Sequence, residues 1–398
     1  MEEVLVINSG SSSLKFALFG HDAVATPEDF HPRYRGHFSG LGERPRFVVQ
    51  DGEGNARVEE LPEGTAPGGR FGHEAALHAL LDWVEQRPDA RRIAAVGHRI
   101  VHGGEAYRAP VRLDGRVLDD LERLIPLAPL HQPHGLAPAR ALSDLRPHLP
   151  QVACFDTAFH RHQPRQAQSF ALPRRFTERG VIRYGFHGLS YEYIGHVLPA
   201  RLGSPHSGRT VVAHLGNGAS LCALQDGRSV ASTMGFTALD GLPMGTRCGN
   251  IDPGVVLHLI AQEGMTPEEV THLLYKESGL LGVSGISGDM RTLLESNVPE
   301  AREAVDLFVY RIVREIGSLA AALSGLDHLV FTAGIGERAA PVRARVAEGC
   351  AWLGVSLDET RNRAHEQRVS TDDSAVDVWV LPTDEERMIA WHTARLCR

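Results

Sequence analysis

The sequence predicts an α/β protein with mixed sheets, and three observations carry that prediction. Apolar, strand-like runs alternate with stretches of helical spacing along the chain. Two of those runs, at residues 4–7 and 210–215, each enter a turn of small residues and continue into a second apolar strand. A length of 398 residues exceeds one comfortable core and points to two domains.

The elements follow in order. Residues 4–7 and 14–19 read as a hairpin around the polar run NSGSSS. Residues 40–70, rich in Gly, Pro and charge, read as further hairpins or an exposed excursion. A helix follows, with Ala75, Leu77, Leu80, Leu81 and Val84 at helical spacing and Pro88 as its stop. IAAVGHRIVHGG, residues 93–104, is a strand ending in His, Arg and paired glycines, and a helix spans 136–145. QVACFDTAFH is again a strand entering a polar loop, and the domain boundary is placed near residue 150. RYGFHGLSYEYIGHVLPARL is a Gly-His loop leading into a helix. Offset by 207 positions, Ser9 to Leu14 faces Gly216 to Leu221. With LVFTAGIGER, a third strand entering a glycine turn, this suggests a duplicated architecture whose turns converge on one cleft. Helices are expected over 301–323 and 385–396.

Composition narrows the function. A net charge of −8 argues against a nucleic-acid or anionic-membrane binder, each of which needs a basic surface. Five scattered cysteines without CxxC spacing fit free thiols in a reducing compartment. No basic leader precedes the first strand, and no apolar run approaches the roughly 18 residues of a bilayer span, so the expected location is cytoplasmic. Only two of the basic residues, Lys15 and Lys276, are lysines, and one of them sits in the opening motif.

A turn of small residues between strands presents backbone N–H groups and hydroxyls as a nest for phosphate oxygens, and it equally suits a solvent-facing hairpin. No GxxxxGK[ST] loop is present. Any one arginine is by default a solvated surface charge, but the glycine-rich, apolar settings of Arg99 and Arg247 raise both above that default, and guanidinium grips carboxylate or phosphate as a fork. His187 and His214 each adjoin glycine at a strand-to-loop transition. The pairs His98/His102 and His73/His78 are not HExxH motifs, and in a strand His98 and His102 simply share one face, so they argue little for zinc, whereas Asn8, Asp156 and Glu385 offer the oxygens that magnesium prefers. A Ser/His/Asp hydrolase lacks its GxSxG elbow.

Beyond these readings, VLVINSGSSSLKF, GHRIVHGGE, PLAPLH, FDTAFH, YGFHG, HLGNGASL, MGTRCGNIDPG, SGISGDMR, FTAGIGER and LPTDEERMIA occur in the order seen in acetate kinases, so the chain resembles the acetokinase family. The resemblance implies a duplicated actin-like, sugar-kinase-like ATPase fold of two domains, 1–150 joined by a terminal helix at 384–398 and 151–383, with an interdomain cleft. It implies a homodimer and a reversible phosphoryl transfer from ATP to acetate, giving ADP and acetyl phosphate, with Mg2+ or Mn2+. Carried over by motif, Asn8 and Glu385 hold the metal, and Ser11, Ser13 and Lys15 serve the phosphate end. Arg99 binds the carboxylate, with Val101, Leu130 and Ala238 on the acyl side, and Asp156 is the catalytic acid. His187 and Arg247 stabilise the transferring group. His214, Leu215, Gly216, Asn217 and Gly218, then Asp289, Met290 and Arg291, then Gly334, Ile335, Gly336, Glu337 and Arg338 contact ATP.

Acetate is already ionised at neutral pH, so Asp156 is expected to orient a cation rather than remove a proton. The chain departs from the family pattern where Ala238 replaces a usual proline, which predicts tolerance of propionate, and in HQPHGL, HGLSYEY, Asn250 and Arg338. Two competing readings are a non-catalytic nucleotide-binding protein of the same fold and a phosphatase. The acyl-side Arg99 and Asp156 discriminate against the first, and phosphate release without an acyl acceptor would identify the second.

Overall fold

The structure, a computed structural model, describes residues 2–10, 12–21, 25–42, 45–59, 71–87 and 89–398. The chain divides into two units, residues 1–159 with 384–398, and residues 160–383.

The first unit is built on an eight-stranded sheet: β1 (Glu2–Ser9), β2 (Ser13–Gly20), β3 (Pro32–Ser39), β4 (Arg46–Asp51), β5 (Ala56–Glu59), β6 (Arg92–Ile100), β7 (Val111–Arg112) and β8 (Gln151–Phe155). Its order is β5-β4-β3-β2-β1-β6-β8-β7. β1, β2 and β3 pair antiparallel, whereas β1, β6 and β8 run parallel. A parallel neighbour requires a crossover, and the helix His73–Gln86 supplies the one between β5 and β6. Its apolar stripe, Ala75 to Val84, buries against β1 and β2 together with Phe16, Phe38 and Phe47. The terminal helix Glu385–Leu396 buries Met388, Ile389, Ala390 and Thr393. Gly97 of β6 permits that approach, because a Cβ there would lie 2.3 Å from Thr393 Oγ1 and 2.6 Å from Ile389 Cγ2.

The domain boundary therefore falls at 159/160 and not near 150. β8 is buried at every position and joins the first sheet through β6, and an apolar run of this length announces burial without saying which sheet receives it. The strand expected over 93–104 stops at Ile100, and the helix expected from 136 begins at Gln132, with Pro133 in its first turn where no N–H is needed. β4 and β5 form one of the expected hairpins; residues 60–70 and Pro88 lie outside the described residues.

The second unit carries β9 (Arg209–Leu215), β10 (Ala219–Gln225), β11 (Arg228–Ser232), β12 (His328–Thr332) and β13 (Asp377–Val380) in the order β11-β10-β9-β12-β13. Antiparallel pairing joins β9, β10 and β11, and parallel pairing joins β9, β12 and β13. The helix Pro299–Leu323 buries Ala304, Val305, Phe308, Ile312 and Ile316 along one stripe, as its spacing requires. The expected glycine turn after β12 is instead the short helix Ala333–Arg338, entered through Ala333 at φ 64°. No helix among the described residues is long and apolar enough to cross a membrane.

Candidate active site

In the first unit four expected residues meet at the carboxyl ends of parallel strands, where open α/β sheets place ligands. Asn8 is the penultimate residue of β1, Arg99 that of β6, Asp156 follows β8, and Glu385 opens the terminal helix. Arg99 Nε donates to Asp156 Oδ1 at 2.9 Å and Nη2 to Oδ2 at 2.6 Å, a two-point fork. Arg99 Nη1 lies 3.4 Å from Asn8 Oδ1, and Nε lies 3.5 Å from Glu385 Oε2. Burial works against the Arg99 charge, but Asp156 and Glu385 outweigh it and raise its pKa, so the cation persists at any working pH. Asp156 occupies the Nε edge, which leaves the Nη1/Nη2 edge to grip a second carboxylate. Burial pushes the neighbouring Glu386 carboxyl up to about 7, with Asp384 and Glu385 adding to the effect and Arg35 and Lys15 opposing it.

Lys15 sits on β2 directly across from Asn8, its side chain exposed. The Gly10 N–H donates to the Ser13 carbonyl at 2.8 Å and closes the turn. Ser11 lies outside the described residues. Val101 is half-buried just beyond β6, and Leu130 is exposed. Asn8 and Glu385 present an amide and a carboxylate oxygen to the same guanidinium, a donor set that fits magnesium rather than zinc. Of the histidines weighed against zinc, His78 is exposed and the other three hold hydrogen bonds within the fold. His98 is buried on Gln151 Oε1 at 2.7 Å, His102 Nδ1 accepts from the Gly104 N–H at 2.9 Å, and His73 Nε2 sits 2.6 Å from the Gly10 carbonyl oxygen. Among the described residues no cluster of three His, Cys, Asp or Glu side chains is arranged to hold a metal.

The second unit assembles a different set. His187 precedes the helix Gly188–Leu202 in left-handed conformation, φ 56°, and its ring stacks on His214 at 4.2 Å between centroids. His187 Nδ1 lies 2.8 Å from Ser220 Oγ, and His214 Nδ1 lies 2.8 Å from Ser190 Oγ. Arg247 Nη1 donates to the Ala238 carbonyl at 3.0 Å, so Ala238 acts here through its backbone. A Cβ on Gly218 would lie 3.4 Å from His187 Nε2 and 3.7 Å from Arg247 Nη1. The missing side chain leaves that position flanked by a histidine and an arginine nitrogen.

A cavity of about 520 Å³ adjoins this region, lined by Gly216, Asn217, Asp289, Met290, Arg291, Gly334, Ile335 and Arg338 from the expected nucleotide set. Sequence reasoning missed its other lining residues, Gly288, Leu294, Glu295, Ala339 and Pro341. Leu215 is fully buried in the sheet, and Gly336 is buried in its short helix. Glu337 Oε1 accepts from the Ala333 N–H at 2.9 Å and supports the strained entry to that helix. Asp289 is committed as a helix cap, Oδ1 accepting from the Thr292 N–H at 3.0 Å, and that bond holds its carboxyl below the usual range. Gly245 is required for close packing, since a Cβ there would fall 2.2 Å from Asn217 Oδ1. Arg343, wholly buried, donates to the Gly336 and Glu337 carbonyls at 2.9 Å each and braces the cavity wall from behind; its position beyond GIGER carries no local signal of that role.

The chain matches the Acetokinase family over residues 3–391. An acetate kinase of Rhodopseudomonas palustris is 55% identical over 397 residues, covering 99% of this chain and 98% of that protein. An acetate kinase of Rhizobium meliloti is 48% identical, covering 100% and 98%. Among solved structures, a propionate kinase from Francisella tularensis superposes with a TM-score of 0.91 at 34% identity, covering 99% of this chain and all of that one. The acetate kinase of Porphyromonas gingivalis gives 0.88 at 35% identity with full coverage of both chains.

Proposed function

The chain belongs to the acetokinase family, and on that premise we propose that it is an acetate kinase, transferring the γ-phosphoryl group of ATP to acetate. The observation that carries this reading is the fork between Arg99 and Asp156. It fixes the guanidinium with its Nη1/Nη2 edge turned to other ligands, which suits a substrate carboxylate and has no use in nucleotide binding alone.

A carboxylate oxygen of acetate attacks the γ-phosphorus in line, the bond from phosphorus to the β-γ bridging oxygen breaks, and ADP carries away the electron pair. No covalent enzyme intermediate and no proton removal from acetate is needed. Arg99 binds and orients the acceptor, and Asp156 orients Arg99. Beside Gly218, Arg247 neutralises charge on the equatorial oxygens and His187 hydrogen-bonds to them. The cavity lined by Asn217, Arg291 and Ile335 takes the nucleoside of ATP. Magnesium, or manganese, held through Asn8 and Glu385, would supply further charge neutralisation at phosphate oxygens, with substrate and water completing its shell.

Acetyl phosphate formed from ATP and acetate, trapped as the hydroxamate, tests the reading directly. Asp156→Asn is expected to lower kcat about 10²-fold by freeing Arg99 from its fork. Near-normal turnover in that variant would remove Asp156 from the mechanism, and absence of hydroxamate from the native protein would overturn the assignment.

A second copy of the chain is the proposed partner. The helix Pro253–Ala261 exposes the apolar side chains of Val255, Leu257 and Ile260, surface of the kind that homodimers cover. Five free cysteines support a reducing, cytoplasmic location. Ala238, standing where the family pattern has proline, supports a second acceptor, propionate, alongside acetate.

A further inference from the structure

We propose that Tyr191 and Ser220 form a hydroxyl relay that fixes His187 with its proton on Nε2, so that the neutral ring donates a hydrogen bond into the space beside Gly218. Ser220 Oγ lies 2.8 Å from His187 Nδ1 and 2.5 Å from the Tyr191 hydroxyl. These contacts bring together the loop before a helix, the first turn of that helix and strand β10. The Tyr191 N–H also donates to the His187 carbonyl at 3.1 Å, so the backbone and the relay hold the same residue.

The direction of the relay follows from burial. Tyr191 is fully buried, its ring edge-on to His160 and to His214. Burial raises its hydroxyl pKa well above the usual value, Cys222 adding and Ser220 opposing, so the phenol keeps its proton. Among the described residues Ser220 Oγ is the hydrogen-bond partner of that phenol. If Tyr191 accepted from Ser220, its own O–H would be buried without an acceptor, which is costly. Tyr191 therefore donates to Ser220, and the one Ser220 proton turns to His187 Nδ1. Nδ1 then accepts, and the ring proton resides on Nε2.

Nε2 is also the nitrogen nearer the space beside Gly218, at 3.4 Å from the Cβ position there, with Arg247 Nη1 at 3.7 Å. The opposite tautomer would present a lone pair to an anion. Among the described residues, His214 and Arg247 face His187, and His160, His214 and Cys222 face Tyr191. None of these substitutes for the hydroxyl between Tyr191 and Nδ1. Tyr191 and Ser220 are positioning residues, acting through His187.

The kinetic consequence rests on the proposed kinase reading; the tautomer does not. Long-range 1H–15N correlation spectra of the full-length protein, with the His187 ring assigned by its loss in His187→Gln, report the protonated nitrogen. The expected result is an Nε2–H ring in the native protein, a mixture of tautomers in Ser220→Ala and Tyr191→Phe, and recovery in Ser220→Thr. An Nδ1–H ring in the native protein, or an unchanged ring in both Ser220→Ala and Tyr191→Phe, overturns the relay. Should Ser220→Ala fail to fold, Tyr191→Phe, which removes one oxygen, decides alone. In turnover, Ser220→Ala is expected to lower kcat about tenfold with KM for acetate within twofold, and Ser220→Thr to restore it. Full kcat in His187→Gln would sink the catalytic use of His187 while leaving the spectroscopic result standing.

Discussion

The two sheets share one plan and carry different side chains. β3-β2-β1-β6-β8 in the first unit and β11-β10-β9-β12-β13 in the second have the same order and the same change from antiparallel to parallel pairing. Each closes its first hairpin through a glycine N–H, Gly10 to the Ser13 carbonyl at 2.8 Å and Gly216 to the Gly218 carbonyl at 3.1 Å. Beside the first turn stand full charges: Lys15, Arg99, Asp156 and Glu385. Beside the second stand glycines, stacked histidines held by serine hydroxyls, the single guanidinium of Arg247, and a cavity. The repeated backbone plan thus carries different side chains at its two corresponding turns.

Substitutions on each side sharpen that contrast. The largest effect is expected for Arg99→Ala, about a 10³-fold loss in kcat/KM for acetate with KM for ATP little changed, and Arg99→Lys should not rescue it because ammonium offers no fork. An equal loss on the ATP side would erase the proposed division of labour. Gly245→Ala should do the reverse. The added methyl displaces Asn217 and should lower kcat/KM for ATP about 10²-fold while the acetate KM stays within a few-fold.

One buried histidine in each unit offers a comparison in stability. Burial holds His98 and His160 down to about 4 from an ordinary 6.5; Gln151 opposes this at His98, and at His160 the Phe186 carbonyl opposes it while Arg161 adds to it. Between these values the unfolded chain binds protons that the folded chain refuses. Stability is therefore full above pH 6.5 and falls towards pH 4, by up to about tenfold in the folding equilibrium per pH unit and histidine. Urea unfolding midpoints at pH 7 and pH 5 measure this, and an unmoved midpoint would contradict it. The smallest effect is expected from Ala238→Pro, a several-fold shift of kcat/KM from propionate towards acetate, within the range one methylene permits.

The hairpin at 4–19 and the helix at 385–396 were legible in the sequence because hydrophobic period and turn residues are local signals. Non-local facts were not. QVACF shows burial but not the sheet that receives it. AGIGER looks like a turn because glycine weakens helix propensity, yet it is helical, with Glu337 bonded to the Ala333 N–H and Arg343 to carbonyls at the helix end. Leu215, expected at the nucleotide with its glycine neighbours, is fully buried in β9, a strand buried at every position from Thr210 onward. Ser220 and Tyr191 stand 29 positions apart and meet only once β10 and the helix after His187 are in place.

The return of residues 384–398 to the first unit has a temporal side. A ribosome delivers Glu385 only after every residue of the second unit has been made, so Arg99 and Asp156 emerge early and wait for their last neighbour. A nascent chain stalled anywhere before residue 385 lacks that carboxylate beside Arg99.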